Sequence, residues 1–266
     1  MKLITRLVSG VALSVVSVSA FAGSQSSFQQ FMPENDLWKQ DSLEKAPVVT
    51  EELFNKVIDA ALEVYNPIAK QAGDWSGILI NRRWDDPTVN ANCRRGLLRR
   101  VTINMYGGLA RRDEISGDAF ALVLCHEIGH AYGGTPYVQD FLHLSAEGQA
   151  DYYGANACLQ NVLEKIPAPE SDMLAQDNGT LSAKCRGVAA VGTPGYTMCV
   201  RRLSAGFQLG KLLSALKSDG VPEYNTPDST VVSETLKSYP DTTQCRVDTY
   251  LAGTFGLPRP ACWFAN

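Results

Sequence analysis

The sequence CHEIGH at positions 125–130 decides how this 266-residue chain is interpreted. An apolar run rich in helix formers, residues 119–124, precedes it, and two glycines follow where a helix would end. On a helix, His126 and His130 lie one turn apart on the same face, so the two imidazoles can share one Zn²⁺. Glu127 lies about 100° around the helix from His126 and can reach a zinc-bound water without binding the metal. The pattern predicts a zinc site with Glu127 as general base.

The third zinc ligand is predicted in the first turn of the next helix. A helical stretch is predicted over residues 145–162, with Ser145 as N-cap and Glu147 in the first turn. Glu147 would complete a three-residue ligand set, leaving the fourth position to water. Asp151, one turn later on the same face, is placed to hydrogen-bond the far nitrogen of a ligand histidine. Alone, the two carboxylates would suggest only a solvated helix start; beside the histidine pair they indicate a centre with one zinc per chain.

The segment HEIGH at 126–130, followed by Glu147 and then Ala150-Asp151, resembles the gluzincin metallopeptidases. The resemblance is to the HtpX/CAAX-prenyl-protease branch and its soluble relatives, the minigluzincins. Upstream, Asn90-Ala91 and residues 101–109 are similar to the strands that enter the active-site helix in that family. The resemblance covers residues 90–151 well and the later part of the chain only weakly.

This resemblance implies an α+β fold: a mainly helical, zincin-type metalloprotease with a small antiparallel or mixed sheet beside the active-site helix. In zincins the strand before the metal helix offers its edge to an extended substrate. Here that strand is predicted over residues 101–106, so Asn104 and Tyr106 are candidates for substrate contact, with ordinary strand packing as the alternative. Residues 78–80 form a second predicted strand.

Two residues of the later half are candidates for stabilising the oxyanion of peptide hydrolysis, since zinc stabilises only part of that charge. Residues 238–240 with Arg246 are similar to the His-Pro…Arg element of the family, although Tyr239 replaces the histidine and the arginine spacing is shifted. The resemblance therefore implies catalytic roles for Tyr239 and Arg246. The structural alternative is that Arg246 supports Glu147 or Asp151 and that Tyr239 is a packed aromatic.

The N-terminus predicts export. Residues 1–22 have a basic start, an apolar core and an Ala-Phe-Ala cleavage site, which is the pattern of a signal peptide. That run is short for a membrane helix, and no later stretch approaches the roughly 18 apolar residues that a span needs. We expect a periplasmic or secreted protein without a membrane span. Residues 23–49 would be an extended arm or short propeptide, and residues 50–266 the metallopeptidase domain with a disulfide-stapled C-terminal part.

The charge balance excludes one class of partner. The chain has 24 basic and 28 acidic residues and a formal net charge of −4, without a basic patch that would bind nucleic acid. The expected partner is a peptide or protein substrate.

The seven cysteines are informative because an oxidising compartment favours disulfides. Cys125 directly precedes a ligand histidine on the buried helix, so we expect it to be the unpaired thiol, acting as a small hydrophobic residue. The other six allow 15 pairings. Cys185–Cys199 and Cys245–Cys262 are expected because the two cysteines of each pair lie close together in the sequence. Cys93 and Cys158 remain and form the third expected pair.

Three further elements flank the predicted site. Thr50 caps a helix that packs behind the metal helix and that Pro67 should end or kink. Residues 200–216 form an amphipathic helix, in which Gly210 either weakens the prediction or marks a close helix contact. His143 is either a spare metal ligand or, more simply, a surface group.

These patterns together predict an exported zinc-dependent endopeptidase that hydrolyses peptide bonds by attack of a zinc-bound water activated by Glu127. One alternative is a zinc amidase that acts on cell-wall peptides. Another is a catalytically silent envelope or binding protein that keeps a zincin fold. The presence of Glu127 argues against the silent protein, because a structural zinc site does not need a general base.

Overall fold

The computed structural model describes residues 28–39, 47–96, 99–168 and 179–265; the predicted signal peptide lies outside them. The fold is α+β, as expected, with many helices and a small mixed sheet. None of the helices in the described ranges has the length and apolarity that crossing a bilayer requires. The helices are α1 Glu51–Gln71, α2 Gly107–Ala110, α3 Gly117–Tyr132, α4 Glu147–Tyr153, α5 Leu159–Leu163, α6 Thr180–Arg186, α7 Pro194–Lys217 and α8 Thr243–Phe255.

The main sheet has four strands in the order β1-β3-β4-β2. Strand β4 runs parallel to β2, while β3 is antiparallel to both β1 and β4. A separate antiparallel pair, β5 and β6, lies between α3 and α4 along the chain. The strands are β1 Gln29–Gln30, β2 Leu79–Arg83, β3 Ala91–Arg95, β4 Val101–Tyr106, β5 Tyr137–Gln139 and β6 Leu144–Ser145.

Strand β4 has the predicted bounds, but the edge role expected for it is wrong. It lies in the interior of the sheet, paired with β3 on one side and β2 on the other, so it has no free edge for a substrate. The side chain of Asn104 is occupied by other asparagines: its Oδ1 accepts from Asn81 and its Nδ2 donates to Asn92. Asn104 and Tyr106 therefore have the sheet-packing role that was the alternative.

The first described residues of the predicted N-terminal arm pack onto the sheet and into the core. Gln29–Gln30 forms β1 on the outer side of β3, and the amide of Phe31 donates to the carbonyl of Ala91 at 3.0 Å. The side chains of Phe31 and Met32 are completely buried. This segment thus covers the edge of the sheet that would otherwise be open.

Helix α1 begins as predicted, since the Thr50 side chain accepts from the Leu53 amide. It packs behind the metal helix through Phe54, whose ring lies 5.0 Å from that of Phe120. Pro67 was expected to end or kink the helix, and the first of these alternatives is wrong. The helix continues to Gln71 and buries Ala69 after the proline, so tertiary packing outweighs the hydrogen bond that Pro67 cannot make.

Helix α3 begins after Ser116, whose side chain accepts from the Ala119 amide, and it ends at the predicted glycines, with Gly133 at its C-terminus. The predicted N-cap of the following helix is wrong. Ser145 ends β6 and its hydroxyl donates to the Gly134 carbonyl, while Ala146 occupies the cap position. A π-helical turn, Gly154–Cys158, separates α4 from α5.

Gly210 marks a close helix contact. A Cβ atom at this position would lie 2.5 Å from Cγ2 of Val247, so α7 can approach α8 closely only where the side chain is absent. Helix α8 was not predicted; it begins after Thr242, whose side chain accepts from the Cys245 amide.

Two of the three expected disulfides, Cys185–Cys199 and Cys245–Cys262, are confirmed. The third expectation is wrong, because Cys125 is bonded to Cys158 and Cys93 is a buried free thiol. The physical reason is the close approach of α3 and the π-helical turn: a Cβ atom on Gly154 would lie 3.1 Å from the His126 amide nitrogen. Cys125 therefore faces the neighbouring helical turn directly.

Candidate metal centre

Two helices bring the predicted ligands together. Helix α3 carries both histidines, and the first residue of α4 is Glu147. The helices can approach because Gly129 faces Ala150: a Cβ atom on Gly129 would lie 2.7 Å from the Ala150 carbonyl oxygen. The glycine between the two histidines thus sets the distance between the ligands.

The three ligand groups converge on one point. The Nε2 atoms of His126 and His130 are 3.0 Å apart, and Glu147 oxygens lie 3.3 Å from the first and 3.6 Å from the second. Two tetrahedral ligands, each about 2.05 Å from a zinc ion, are about 3.3 Å apart. These residues form a group that could hold a metal ion, and their spacing fits a small divalent cation.

The outer nitrogens of both imidazoles are held by oxygen acceptors. His126 Nδ1 lies 2.7 Å from Asp151 Oδ1, and His130 Nδ1 lies 2.8 Å from the Ser145 carbonyl oxygen. An Nδ1–H that donates to these acceptors leaves the Nε2 lone pair free to bind an ion. Asp151 therefore lies in the supporting position predicted for it.

Glu127 is completely buried, and neither of its carboxylate oxygens has a hydrogen-bond partner among the described residues. One carboxylate oxygen of Glu147 also has no hydrogen-bond partner among the described residues. Burying unpaired carboxylates is costly unless a cation compensates them. When both glutamates are ionised, one divalent cation would balance them, because Asp151 is already paired with Arg246.

Arg246 is also buried at this site. Its Nε and Nη2 each donate to Asp151 at 2.7 Å, and the Tyr250 hydroxyl donates to the same carboxylate at 3.0 Å. Burial raises the pKa of Asp151, but the charges of Arg246 and His126 outweigh it and hold that pKa well below its usual range. Arg246 therefore supports Asp151, as the structural alternative expected; its contact with substrate stays a prediction.

The two imidazoles have opposite pKa shifts. Burial lowers the pKa of His126, but Asp151 and Glu147 outweigh it and raise the value to about 9. Burial lowers the pKa of His130 to about 4. Burial also raises the pKa of the Glu127 carboxyl well above its ordinary value.

A cavity of about 540 Å³ opens beside Glu147, and Tyr239 forms part of its wall. The Tyr239 hydroxyl donates to the Gln30 carbonyl at 2.8 Å, and burial raises the pKa of this hydroxyl above its usual value.

His143 does not join the ligand group; its ring packs 5.2 Å from the ring of Tyr137. The surface-group alternative for His143 is thus the better description.

Sequence reasoning missed the contribution of the N-terminal arm. The ring of Phe31 contacts the ring of His126 edge to face, with centroids 5.3 Å apart, and its carbonyl accepts from Arg246 Nη1 at 2.7 Å. Tyr250 was also missed. A signal for the arm in the sequence is the adjacent apolar pair Phe31-Met32, which follows a polar run that contains Phe28.

The Gly129→Ala substitution tests whether the helix approach sets the ligand geometry. In a free helix alanine is favoured over glycine by about 1 kcal/mol. Here the added methyl meets backbone atoms of α4, and overpacking of this kind costs about 1–3 kcal/mol. We expect a lower free energy of unfolding and weaker metal binding, measured by chemical denaturation and metal titration. Gly195→Ala is the matched control, because its new Cβ would meet Ala189 at an ordinary 3.6 Å.

Comparisons with protein-family models, with curated proteins and with solved structures found no match to this chain. The function is therefore argued from the residues of the site.

Proposed function

We propose that the chain is a zinc-dependent endopeptidase of the gluzincin kind, with a zincin-type fold. The observation that carries this proposal is the combination of two elements in one buried site. His126, His130 and Glu147 converge at metal-ligand spacing, and Glu127 adds a carboxylate without a hydrogen-bond partner among the described residues. A purely structural metal site would not need this additional carboxylate.

His126, His130 and Glu147 would hold the ion. When bound, zinc supplies a Lewis acid for the scissile carbonyl and lowers the pKa of a water. Glu127 would accept the proton of the attacking water at a carboxylate oxygen and then donate it to the leaving amine. Asp151 orients His126 through Nδ1, and Arg246 keeps Asp151 ionised.

Tyr239 is the better of the two candidates for oxyanion stabilisation. Its hydroxyl lies at the wall of the cavity that reaches Glu147, and it already donates to a main-chain carbonyl, that of Gln30. A peptide carbonyl in that position would receive the same hydrogen bond. The donors of Arg246 that the structure resolves are directed at Asp151 and at the Phe31 carbonyl, so its proposed role is to position Asp151.

We also propose that the protein is exported and works in an oxidising compartment. Six of the seven cysteines form disulfides, which persist in the periplasm and outside the cell but are rare in the cytosol. This agrees with the signal-peptide pattern in the sequence.

The test is hydrolysis by the zinc-loaded protein of two kinds of material, unfolded protein chains and purified cell-wall peptide. We expect cleavage of the protein chains, its loss on chelation and its return when zinc is added back. Cleavage of wall material alone would favour the amidase. Absence of cleavage of either, with metal retained, would favour the silent binding protein.

A further inference from the structure

We propose that the N-terminal segment of residues 28–35, called the arm here, closes the metal centre of this chain. Substrate then reaches the centre only in the fraction of molecules in which the arm has left its place against β3, so the parent chain cleaves slowly. This inference rests on the proposed metal-dependent function, because it concerns access to that same centre. Two observations support the proposal. Hydrogen bonds hold the main chain of the arm, and the ligand residues are buried beneath it.

The arm is bound as a peptide ligand would be. Three successive main-chain carbonyls, those of residues 30, 31 and 32, each accept a hydrogen bond from a side chain of the body of the protein. The donors are Tyr239 at 2.8 Å, Arg246 at 2.7 Å and Asn90 at 2.9 Å. These three hydrogen bonds are made to the backbone of the arm, which any extended peptide could offer.

The arm also completes the sheet in the manner of an added strand. Gln29 and Gln30 pair antiparallel with Cys93 and Asn92 of β3, the strand that lies against the metal helix. The Met32 amide donates to Asn90 Oδ1 at 3.3 Å, so Asn90 contacts both the amide and the carbonyl of one arm residue. An extended peptide substrate would need this same edge.

The ligand atoms are closed off beneath the arm. His126, Glu127 and His130 have no exposed surface, and Glu147 is only 3% exposed. The Phe31 ring lies edge-on against His126, and the cavity beside Glu147 is walled by Phe28, Gln29 and Gln30. A polypeptide cannot reach the point where the ligands converge while this segment is in place.

The experiment measures how fast a chromogenic chelator extracts zinc from the loaded protein, and in parallel how fast the protein cleaves a peptide. Asn90→Ala removes two hydrogen bonds to the arm main chain, each of which changes an equilibrium by roughly 2–12-fold. We expect extraction and cleavage to become roughly tenfold faster. Asn92→Ala is the matched control, since this side chain contacts Tyr106 and Asn104 and leaves the arm contacts in place.

A second variant fixes the arm in place. Gln29 lies directly opposite the free Cys93 in the antiparallel pair, so Gln29→Cys can be oxidised to a bond across β1 and β3. Peptide mapping confirms the new bond and the three native ones. We expect the locked chain to release zinc at least about tenfold more slowly and to lose cleavage, both restored by a mild reductant that does not change the parent chain.

The two proposals fail in distinguishable ways. If the locked chain releases zinc and cleaves peptide as fast as the parent, the arm does not close the site and only this inference is overturned. The same conclusion follows if Asn90→Ala behaves like Asn92→Ala. If zinc release depends on the arm as expected but no variant cleaves peptide, the endopeptidase proposal fails and the closure stands.

Discussion

Replacing Glu127 with glutamine is expected to abolish peptide hydrolysis while leaving the metal bound. The amide has almost the same shape as the carboxylate but cannot accept the proton of the attacking water. Removal of a positioned general base lowers a rate by roughly 10²–10⁴-fold. Because Glu127 lies outside the group of three converging ligands, zinc stoichiometry should not change. The measurements are cleavage rate and metal content of the same preparation.

The stability of this variant is part of the same prediction. Glu127 is buried, and its oxygens have no hydrogen-bond partner among the described residues, so the neutral amide should not lower the free energy of unfolding. A folded, zinc-loaded Glu127→Gln protein with parental activity would contradict the proposed role of Glu127.

The second large effect is expected from Asp151→Asn. Asp151 is completely buried and links His126 to Arg246, so the substitution leaves the Arg246 charge buried without its partner. Breaking one side of a buried ion pair costs about 3–5 kcal/mol. Loss of a carboxylate that orients a ligand histidine typically lowers metal affinity about 10–100-fold. Chemical denaturation and metal titration would measure the two effects separately.

Asp59→Asn is the matched control for that experiment. Asp59 also pairs with an arginine, Arg82, but its side chain is 67% exposed to solvent. Exposed ion pairs contribute about 0–1 kcal/mol, so this variant should unfold almost like the parent. Equal effects at the two positions would mean that the pair of Asp151 and Arg246 is not the buried support of the site.

The parts of the fold that depend on neighbouring residues were predicted well. The spacing of His126 and His130 is set by one helical turn, and the limits of α3 follow from local caps at Ser116 and Gly133. Strand β4 and the start of α1 were also predicted, because alternation and capping are local signals. The convergence of Glu147 with the histidines was expected from the second motif, and the structure brings these groups together.

The parts that depend on distant contacts were not predicted. The pairing of Cys125 with Cys158 follows from the approach of α3 to a π-helical turn, which no local pattern indicates. The continuation of α1 beyond Pro67 places Ala69 in the core, a contact that no local pattern indicates. The arm is the clearest case, since its place beside His126 depends on partners such as Arg246, more than 200 residues away.

The central claim is that one divalent ion is held by His126, His130 and Glu147, and metal analysis of the purified full chain tests it most directly. The account predicts close to one zinc per chain, removed by a chelator, regained on zinc addition, and greatly reduced in a His130→Ala variant that remains folded. A protein that binds no divalent ion, or that binds it equally well without the His130 imidazole, would contradict the account.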